Sequence, residues 1–368
     1  MLGPIGYHAR IVSAAPSPPT TPRVAVAPRV AVPPRVAVIV PADGVAHLVG
    51  EALHSLQAQT LRDWECVVID DGAPDDVAAA VAPFLSDARI RFVASDSHGV
   101  SAARNRAVAE TGAAYLALLD GDDLLRPHYL ERTVAQLAAE PQARLATCNA
   151  RIFGAVPGER LCVTAPQGRG DGLRGSLADV LDRSFNVYIG STFRRADFDA
   201  VGGFDPRMAQ SEDFDFWVRL MLLGGHAHYI DEILADYRIR PGSASANGER
   251  MLLGNIRVYE KALAALGERP EAGLVRELIA TQREALAFEH AVDRIIDGDT
   301  CRGLAELRAA STMVSGPVWT LSFAAWRVFP GLARPLLRWR RRAHRRGGRG
   351  LVSPPAIGQA PPGIVGAG

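Results

Sequence analysis

From Arg35 onward, short apolar runs alternate with amphipathic stretches, and that alternation predicts strand after helix. Residues 35–40, 65–69, 89–93 and 115–119 are near-continuous apolar runs, as strands buried on both faces of a sheet require. Residues 47–57 carry Leu48, Ala52, Leu53 and Leu56 at helical spacing, and 76–85, 100–110 and 127–139 also read as helices. Gly112 stops the third helix, and Pro127 opens the fourth. This order predicts an α/β fold, a mostly parallel sheet flanked by helices. From Asn247 to about Ala310 only helical spacing continues, through Leu252, Ile256, Tyr259 and Leu263 and on to Ile295, which predicts a helical appendage.

Acids gather where the strands end. The fourth apolar run stops in Asp120-Gly-Asp-Asp123, and the second stops in Asp70-Asp71-Gly72 with Asp75 and Asp76 close behind. In an open α/β sheet the carboxyl ends of the strands are where ligands sit. A D-x-D spacing of hard oxygen ligands suits Mg²⁺ or Mn²⁺. The same residues would also serve as a solvated turn with helix caps at Asp122 or Asp123, and at Asp75 or Asp76. The first strand–helix junction, Pro41 to His47, has one glycine, so it lacks G-x-G-x-x-G, and G-x-x-x-x-G-K-[ST] is also absent. Nicotinamide-binding and P-loop readings therefore fail.

Composition excludes further classes. The chain is 48% hydrophobic and 22% charged, with a net charge of +1, which argues against a nucleic-acid binder. Lys261 is its one lysine, so arginine serves throughout as the cation. Eight arginines and no acid lie between Gly331 and Gly350, so the remainder carries a net −7. Cys66, Cys148, Cys162 and Cys301 form no C-x-x-C pair and suit a reducing compartment, Cys66 as a buried thiol. There is no apolar run of the ~18 residues a membrane span needs, and no signal-peptide core. His226-Ala-His228 share one face of an expected strand, but no third ligand stands nearby in sequence, which disfavours a metal there.

Six segments in order resemble family 2 glycosyltransferases of the GT-A fold: Val38-Ile-Val-Pro41, Gln59-Thr60 with Trp64-Glu65, Val68-Ile-Asp-Asp-Gly72, Gly99 with Ala103-Arg-Asn-Arg106, Leu118-Leu-Asp-Gly-Asp-Asp123, and Gly202-Gly-Phe-Asp205 with Ser211-Glu-Asp-Phe-Asp-Phe-Trp-Val-Arg219. Tyr237-Arg238 with Pro241-Gly-Ser243 resembles the family's closing segment. The resemblance implies an inverting transferase that moves a sugar from a nucleotide-diphospho-sugar, UDP by default, to a hydroxyl of a glycan or lipid-linked acceptor. Pro41, Asp43, Asp70, Asp71, Arg104, Asp120, Gly121 and Arg240 would bind the donor. Asp120 and Asp122 would hold a divalent metal, Mn or Mg. Asp213 would be the general base, with Glu212 positioning the acceptor, while Asn105 and Arg106 would support the loop.

Other readings of these residues stay open. Arg104 could instead pair with Glu110 on an exposed helix face. Ser211 is a candidate helix cap, acids in the first turn suit the helix dipole, and Asp215 is expected to face solvent. Two departures stand out: Asp43-Gly44 replaces an aromatic-Asn pair, and Arg240 replaces a histidine. An arginine there would bind diphosphate directly without ligating the metal. The departures motivate a non-catalytic sugar-nucleotide-binding relative as an alternative. A haloacid-dehalogenase-type phosphatase using Asp120 and Asp122 is a further one, for which Lys261 is a poor lysine.

The expected organisation is a disordered Pro/Ala/Val-rich extension over 1–34, with Arg-Val-Ala-Val repeated at 23, 29 and 35, and a catalytic domain over 35–245. A helical appendage spans 246–312, an aromatic and arginine-rich segment 313–350, and a disordered tail 351–368. Within 317–349, Trp319, Phe323 and Trp326 fall on one helical face ahead of the arginines. Either that stripe faces an anionic membrane, with the protein peripheral on the cytoplasmic membrane face, or it packs on the protein. No nucleic acid is expected as partner.

Overall fold

The computed structural model describes residues 34–72, 74–95, 99–156, 158–188, 190–240, 248–310 and 317–346. Nearly all of the 1–34 extension, the Pro241-Gly-Ser243 segment and the 351–368 tail lie outside the described residues. Strands β1 (Val36–Ala42), β2 (Trp64–Asp70), β3 (Ile90–Ala94) and β4 (Tyr115–Leu118) lie parallel in the order β3-β2-β1-β4. They are joined through α1 (Val49–Gln57), α2 (Val77–Val81) and α3 (Val100–Ala109). α2 is shorter than its apolar spacing predicts. Pro83 lacks an N–H to continue the ladder, and residues 82–84 tighten into a 3₁₀ turn.

Beyond β4 come β5 (Leu124–Leu125), α4 (Tyr129–Ala139), β6 (Ala143–Gly154), β7 (Arg160–Leu161) and β8 (Arg174–Gly175). α5 (Leu177–Leu181), β9 (Thr192–Arg194), α6 (Arg195–Val201), α7 (Glu212–Leu222) and β10 (His226–Ile239) follow. The sheet continues from β4 through β9, β6 and β10 to β5, with β7 on β6 and β8 on β10. β9 runs antiparallel to β4 and β6, while β6 and β10 are parallel, so the sheet is mixed in its second half.

Both faces of the sheet are covered, as its continuous apolar strands require. Along β1, Ala37 and Ile39 join one core with Ala103, Phe193, Phe216 and Trp217, while Val36, Val38 and Val40 join another with Leu53, Leu56 and Tyr129. The C-terminal helices are α8 (Gly248–Leu266), α9 (Glu271–Asp297), α10 (Thr300–Ala309), α11 (Pro317–Val328) and α12 (Ala333–Arg346). Val258 and Tyr259 of α8 and Val275 and Leu278 of α9 share the core of Phe216 and Trp217, so the appendage begins inside the main fold.

A smaller core lies between the second half of α9 and α10 to α12. Of the two readings of the aromatic stripe, this core supports the one in which it packs on the protein. Trp319 meets Phe288 edge-on at 5.7 Å, and Trp326 is buried among the same residues. Phe288, Val292 and Ile295 on α9 need that cover, and the stripe supplies it. Among the described residues no helix is long and apolar enough to cross a membrane.

Candidate active site

The strand order places the acidic loops together. The chain steps outward from β1 through β2 to β3, then returns to the other side of β1 as β4. The crevice at such a reversal is the natural ligand site of an open sheet. The loop after β4 is pressed against the end of β1: the Gly121 N–H donates to the Pro41 carbonyl at 3.3 Å. A side chain at Gly121 would place its Cβ 2.8 Å from Val45 Cγ2 and 3.2 Å from the Pro41 oxygen. Glycine is therefore required by a close approach, and that approach lets Asp120 and Asp122 flank the crevice.

Arg104, on α3, is the centre of the arrangement. It is 3% exposed and forks between two carboxylates, with Nη2 2.9 Å from Asp120 and Nη1 2.9 Å from Glu212. Burial alone would lower its pKa, but Asp120 and Glu212 outweigh burial and hold the guanidinium above its ordinary value. Its Nε–H is buried without a partner among the described residues. The exposed Arg104–Glu110 alternative is excluded; Arg106 makes that i, i+4 pair instead. Asn105 supports the neighbouring loop as expected, exchanging bonds of 2.7 and 2.8 Å with the Phe204 carbonyl and N–H.

Glu212 and Asp213 open α7, where the helix dipole favours negative charge. Burial and then the Asp213 charge raise the Glu212 pKa, and Arg104 only partly offsets them. Two expectations for this helix are corrected. Ser211 occupies the cap position but does not cap: its φ is +56° and its hydroxyl donates to Asn255 Oδ1 at 2.9 Å. Asp215 is 1% exposed rather than solvent-facing, held by Arg219 at 2.7 Å and Lys261 at 2.5 Å. The apolar face of α7 is broad enough to bury it, and the two cations compensate.

The second carboxylate pair divides its work. Asp122 binds Arg240 Nε at 2.5 Å, and Arg240 also reaches the Gly44 carbonyl at 3.4 Å. Burial and then Asp120 raise the Asp122 pKa despite Arg240. Asp123 is neither an exposed turn residue nor a helix cap. It is buried, accepts from Tyr188 Oη and the Arg238 N–H at 2.8 Å each, and its pKa is pushed well up, first by burial. Arg238 Nε adds a 2.8 Å bond to the Asp122 carbonyl, so β10 clamps the loop at its backbone. Sequence reasoning passed over Tyr188, and it named Arg238 only as part of the closing segment, without this role.

The remaining expected site residues are spread along the same sheet edge. Asp71 accepts from the Gly99 N–H at 2.5 Å, tying the end of β2 to the start of α3. Asp70 closes β2. Asp43 is exposed in the loop after β1. That loop is held by Asp75, which accepts from the Gly44 and Ala46 N–H groups at 3.1 and 2.6 Å, while Asp76 caps α2 through the Ala79 N–H.

The profile of glycosyl transferase family 2 matches residues 37–202, the stretch that carries Asp71, Arg104, Asp120 and Asp122. The chain carries a glycosyl transferase family 2 domain. Beyond the residues matched to this glycosyltransferase domain lie α7, which carries Glu212 and Asp213, and β10, which Arg240 follows directly. One curated relative is the Escherichia coli UDP-Glc:alpha-D-GlcNAc-diphosphoundecaprenol beta-1,3-glucosyltransferase WfgD. It is 30% identical over 27% of this chain and 40% of its own length. Three other curated relatives are matched over 22%, 33% and 31% of their lengths, so the chain spans a third or less of each.

Two solved structures share the fold. Staphylococcus aureus TarS 1-349 in complex with UDP-GlcNAc gives a TM-score of 0.56 at 14% identity, covering 86% of this chain and 93% of that one. The mannosyltransferase PcManGT from Pyrobaculum calidifontis in complex with GDP-Man and Mn²⁺ gives 0.54 at 19% identity, covering 86% of each. At these identities the likeness establishes the GT-A fold.

In the glycosyltransferase domain the donor set at Asp120 and Asp122 fits a hard divalent cation. Burial, and after it the neighbouring Asp120 carboxylate, raise Asp122 even beside Arg240, and oxygen ligands suit Mn²⁺ or Mg²⁺. The other cluster with ligand character is Glu140, His226 and His228, whose candidate atoms lie within 4.8 Å of one another. The fold thus supplies the third ligand that the sequence did not show. It also supplies Arg174, 2.9 Å from Glu140, whose charge opposes a cation there.

Proposed function

We propose that the protein is an inverting glycosyltransferase that moves a sugar from a nucleotide-diphospho-sugar, with UDP the favoured nucleotide, to a hydroxyl of a glycan or lipid-linked acceptor. The carrying observation is the fork of Arg104, which holds Asp120 and Glu212 on one buried guanidinium and so couples the loop after β4 to the start of α7. UDP draws support from WfgD and from the TarS complex, and a lipid-linked acceptor from WfgD. Residues 35–245 form the catalytic unit in this reading, with 246–312 as a helical appendage and the protein acting at the cytoplasmic membrane face.

Asp213 is assigned as the base. It takes the acceptor hydroxyl's proton as that oxygen forms its bond to the anomeric carbon, and the carbon–oxygen bond to the diphosphate breaks on the opposite side. One displacement with no covalent intermediate inverts the configuration. Glu212, immobilised by Arg104, orients the acceptor. Asp120 and Asp122 would hold a divalent cation, which supplies positive charge for the leaving diphosphate when bound. Arg240 is a donor suited to phosphate oxygens. Pro41, Asp43, Asp70 and Asp71 are assigned to the nucleoside end.

Release of nucleoside diphosphate from a panel of nucleotide sugars with Mn²⁺, Mg²⁺ or EDTA tests the reading. Metal-dependent turnover that disappears in Asp122→Asn and in Asp213→Asn is expected. Saturable donor binding without turnover would instead identify a non-catalytic relative, which the Arg240–Asp122 pair favours. The phosphatase alternative has less support, because Lys261 is bound to Asp205 at 2.7 Å and Asp215 at 2.5 Å.

A further inference from the structure

Five large apolar side chains are more than half exposed among the described residues, and all five lie on α11, on α12 or in the turn that joins them. They are Leu321, Val328, Phe329, Leu332 and Trp339, at 54% to 71% exposure, with Leu336 just below them. They are not the residue of an unfinished core. The same helices already direct Trp319, Trp326, Ala333 and Leu337 inward against α9. The pair therefore has two apolar faces, one satisfied and one open. An open apolar face of this kind marks an interaction surface.

Charge identifies what covers it. No acid follows Glu306 in the sequence, and α12 alone carries Arg334, Arg338, Arg340, Arg341, Arg342, Arg345 and Arg346. Arg334 and Arg338 donate to the Ile296 carbonyl at 2.8 and 3.1 Å, near the carbonyl end of α9, and so fix the start of α12 on the protein. The occupant has to accept aliphatic and aromatic side chains and supply negative charge beside them. Residues 1–33 and 347–368 contain no acid, so neither of these terminal segments can supply it. A second copy meeting this face with its own would set like charge against like. A nucleic acid offers phosphates but no surface for leucine and valine. An anionic bilayer offers both, in the acyl boundary and the headgroup phosphates.

We propose that the open face of α11–α12 docks the protein on an anionic lipid bilayer, with Phe329, Leu336 and Trp339 entering the headgroup boundary and the positive charge of the arginine-rich 334–346 sequence attracting lipid phosphates. The docking face is opposite in character to the aromatic stripe, which is occupied by α9. The inference uses no residue of the transferase site and stands whether or not that reading holds.

Flotation of the full chain with vesicles tests it without any turnover assay. The protein should float with phosphatidylcholine vesicles containing phosphatidylglycerol, stay behind with phosphatidylcholine alone, and detach as salt rises. Leu336→Ser/Trp339→Ser should lower the partition coefficient at least about tenfold, with the thermal midpoint and circular dichroism unchanged, because both side chains are exposed. Trp326→Ser serves as the contrast: it should lower the thermal midpoint, since that side chain is core. Equal recovery with and without phosphatidylglycerol overturns the proposal. So does a double variant that floats like the parent, or capture by an acidic protein or RNA in the absence of any flotation.

Discussion

Replacing Arg104 by lysine keeps the buried charge and removes the fork, which isolates what the fork contributes. Arg104 makes two charge-assisted bonds of 2.9 Å to carboxylates on different elements, Asp120 after β4 and Glu212 at the start of α7. A bond of this kind contributes about 1.5–3 kcal/mol. The compact ammonium of lysine cannot hold both carboxylates in that geometry. If the lost bond acts only by positioning, kcat should fall roughly tenfold to a hundredfold, since each ~1.4 kcal/mol is a factor of ten in rate. The donor KM should move less than kcat, because the cleft itself remains. Arg104→Met is harsher: it leaves two partly buried carboxylates uncompensated and should cost about 3–5 kcal/mol of stability. Initial rates of nucleoside diphosphate release and urea unfolding of the same preparations give the two readouts. A lysine variant within twofold of the parent kcat would show that the bridge between the two elements does not position the reacting groups.

Three other outcomes follow from the geometry. Asp215→Asn removes the carboxylate that Arg219 and Lys261 share at 1% exposure, and should lower stability by about 3 kcal/mol in urea titration; an unchanged midpoint would mean the buried network is dispensable. Gly121→Ala puts a methyl group 2.8 Å from Val45 and should displace the Asp120–Asp122 loop, reducing turnover far more than the thermal midpoint; parent-like turnover would contradict the close approach. Arg174 beside Glu140 holds that carboxyl down to about 2 from its ordinary 4.5, so the pair stabilises the fold above pH 4.5 and the contribution fades as pH falls toward 2. Unfolding midpoints measured across that window should therefore drop more steeply in the parent than in Glu140→Gln, and parallel curves would count against the pairing.

How much of the site was legible depended on whether neighbours in space were also neighbours in pattern. Asp120, Asp122 and Asp71 were visible because each ends an apolar run, and strand ends are where an open sheet binds ligands. Arg104 was visible as part of a motif, but its double pairing was not, because Asp120 and Glu212 reach it from remote parts of the chain. Tyr188 and Arg238 were invisible in their roles for the same reason: nothing local marks a tyrosine or an arginine as the partner of Asp123. Asp215 was misread because helical periodicity separates faces but does not reveal that Lys261, on α8, waits on the buried side.

The sequence by itself determined the alternation of strands and helices, the double burial of the first strands and the acidity of the crevice. Each of these is written in spacings of a few residues, which backbone geometry converts directly into position. The tertiary structure alone decided which charges meet and which apolar face stays open. Opposite charges pair through space over a few ångströms, and one side of an amphipathic helix is hidden only when another element arrives to cover it. The aromatic stripe of α11 found α9, and the face of Leu336 and Trp339 found no cover among the described residues.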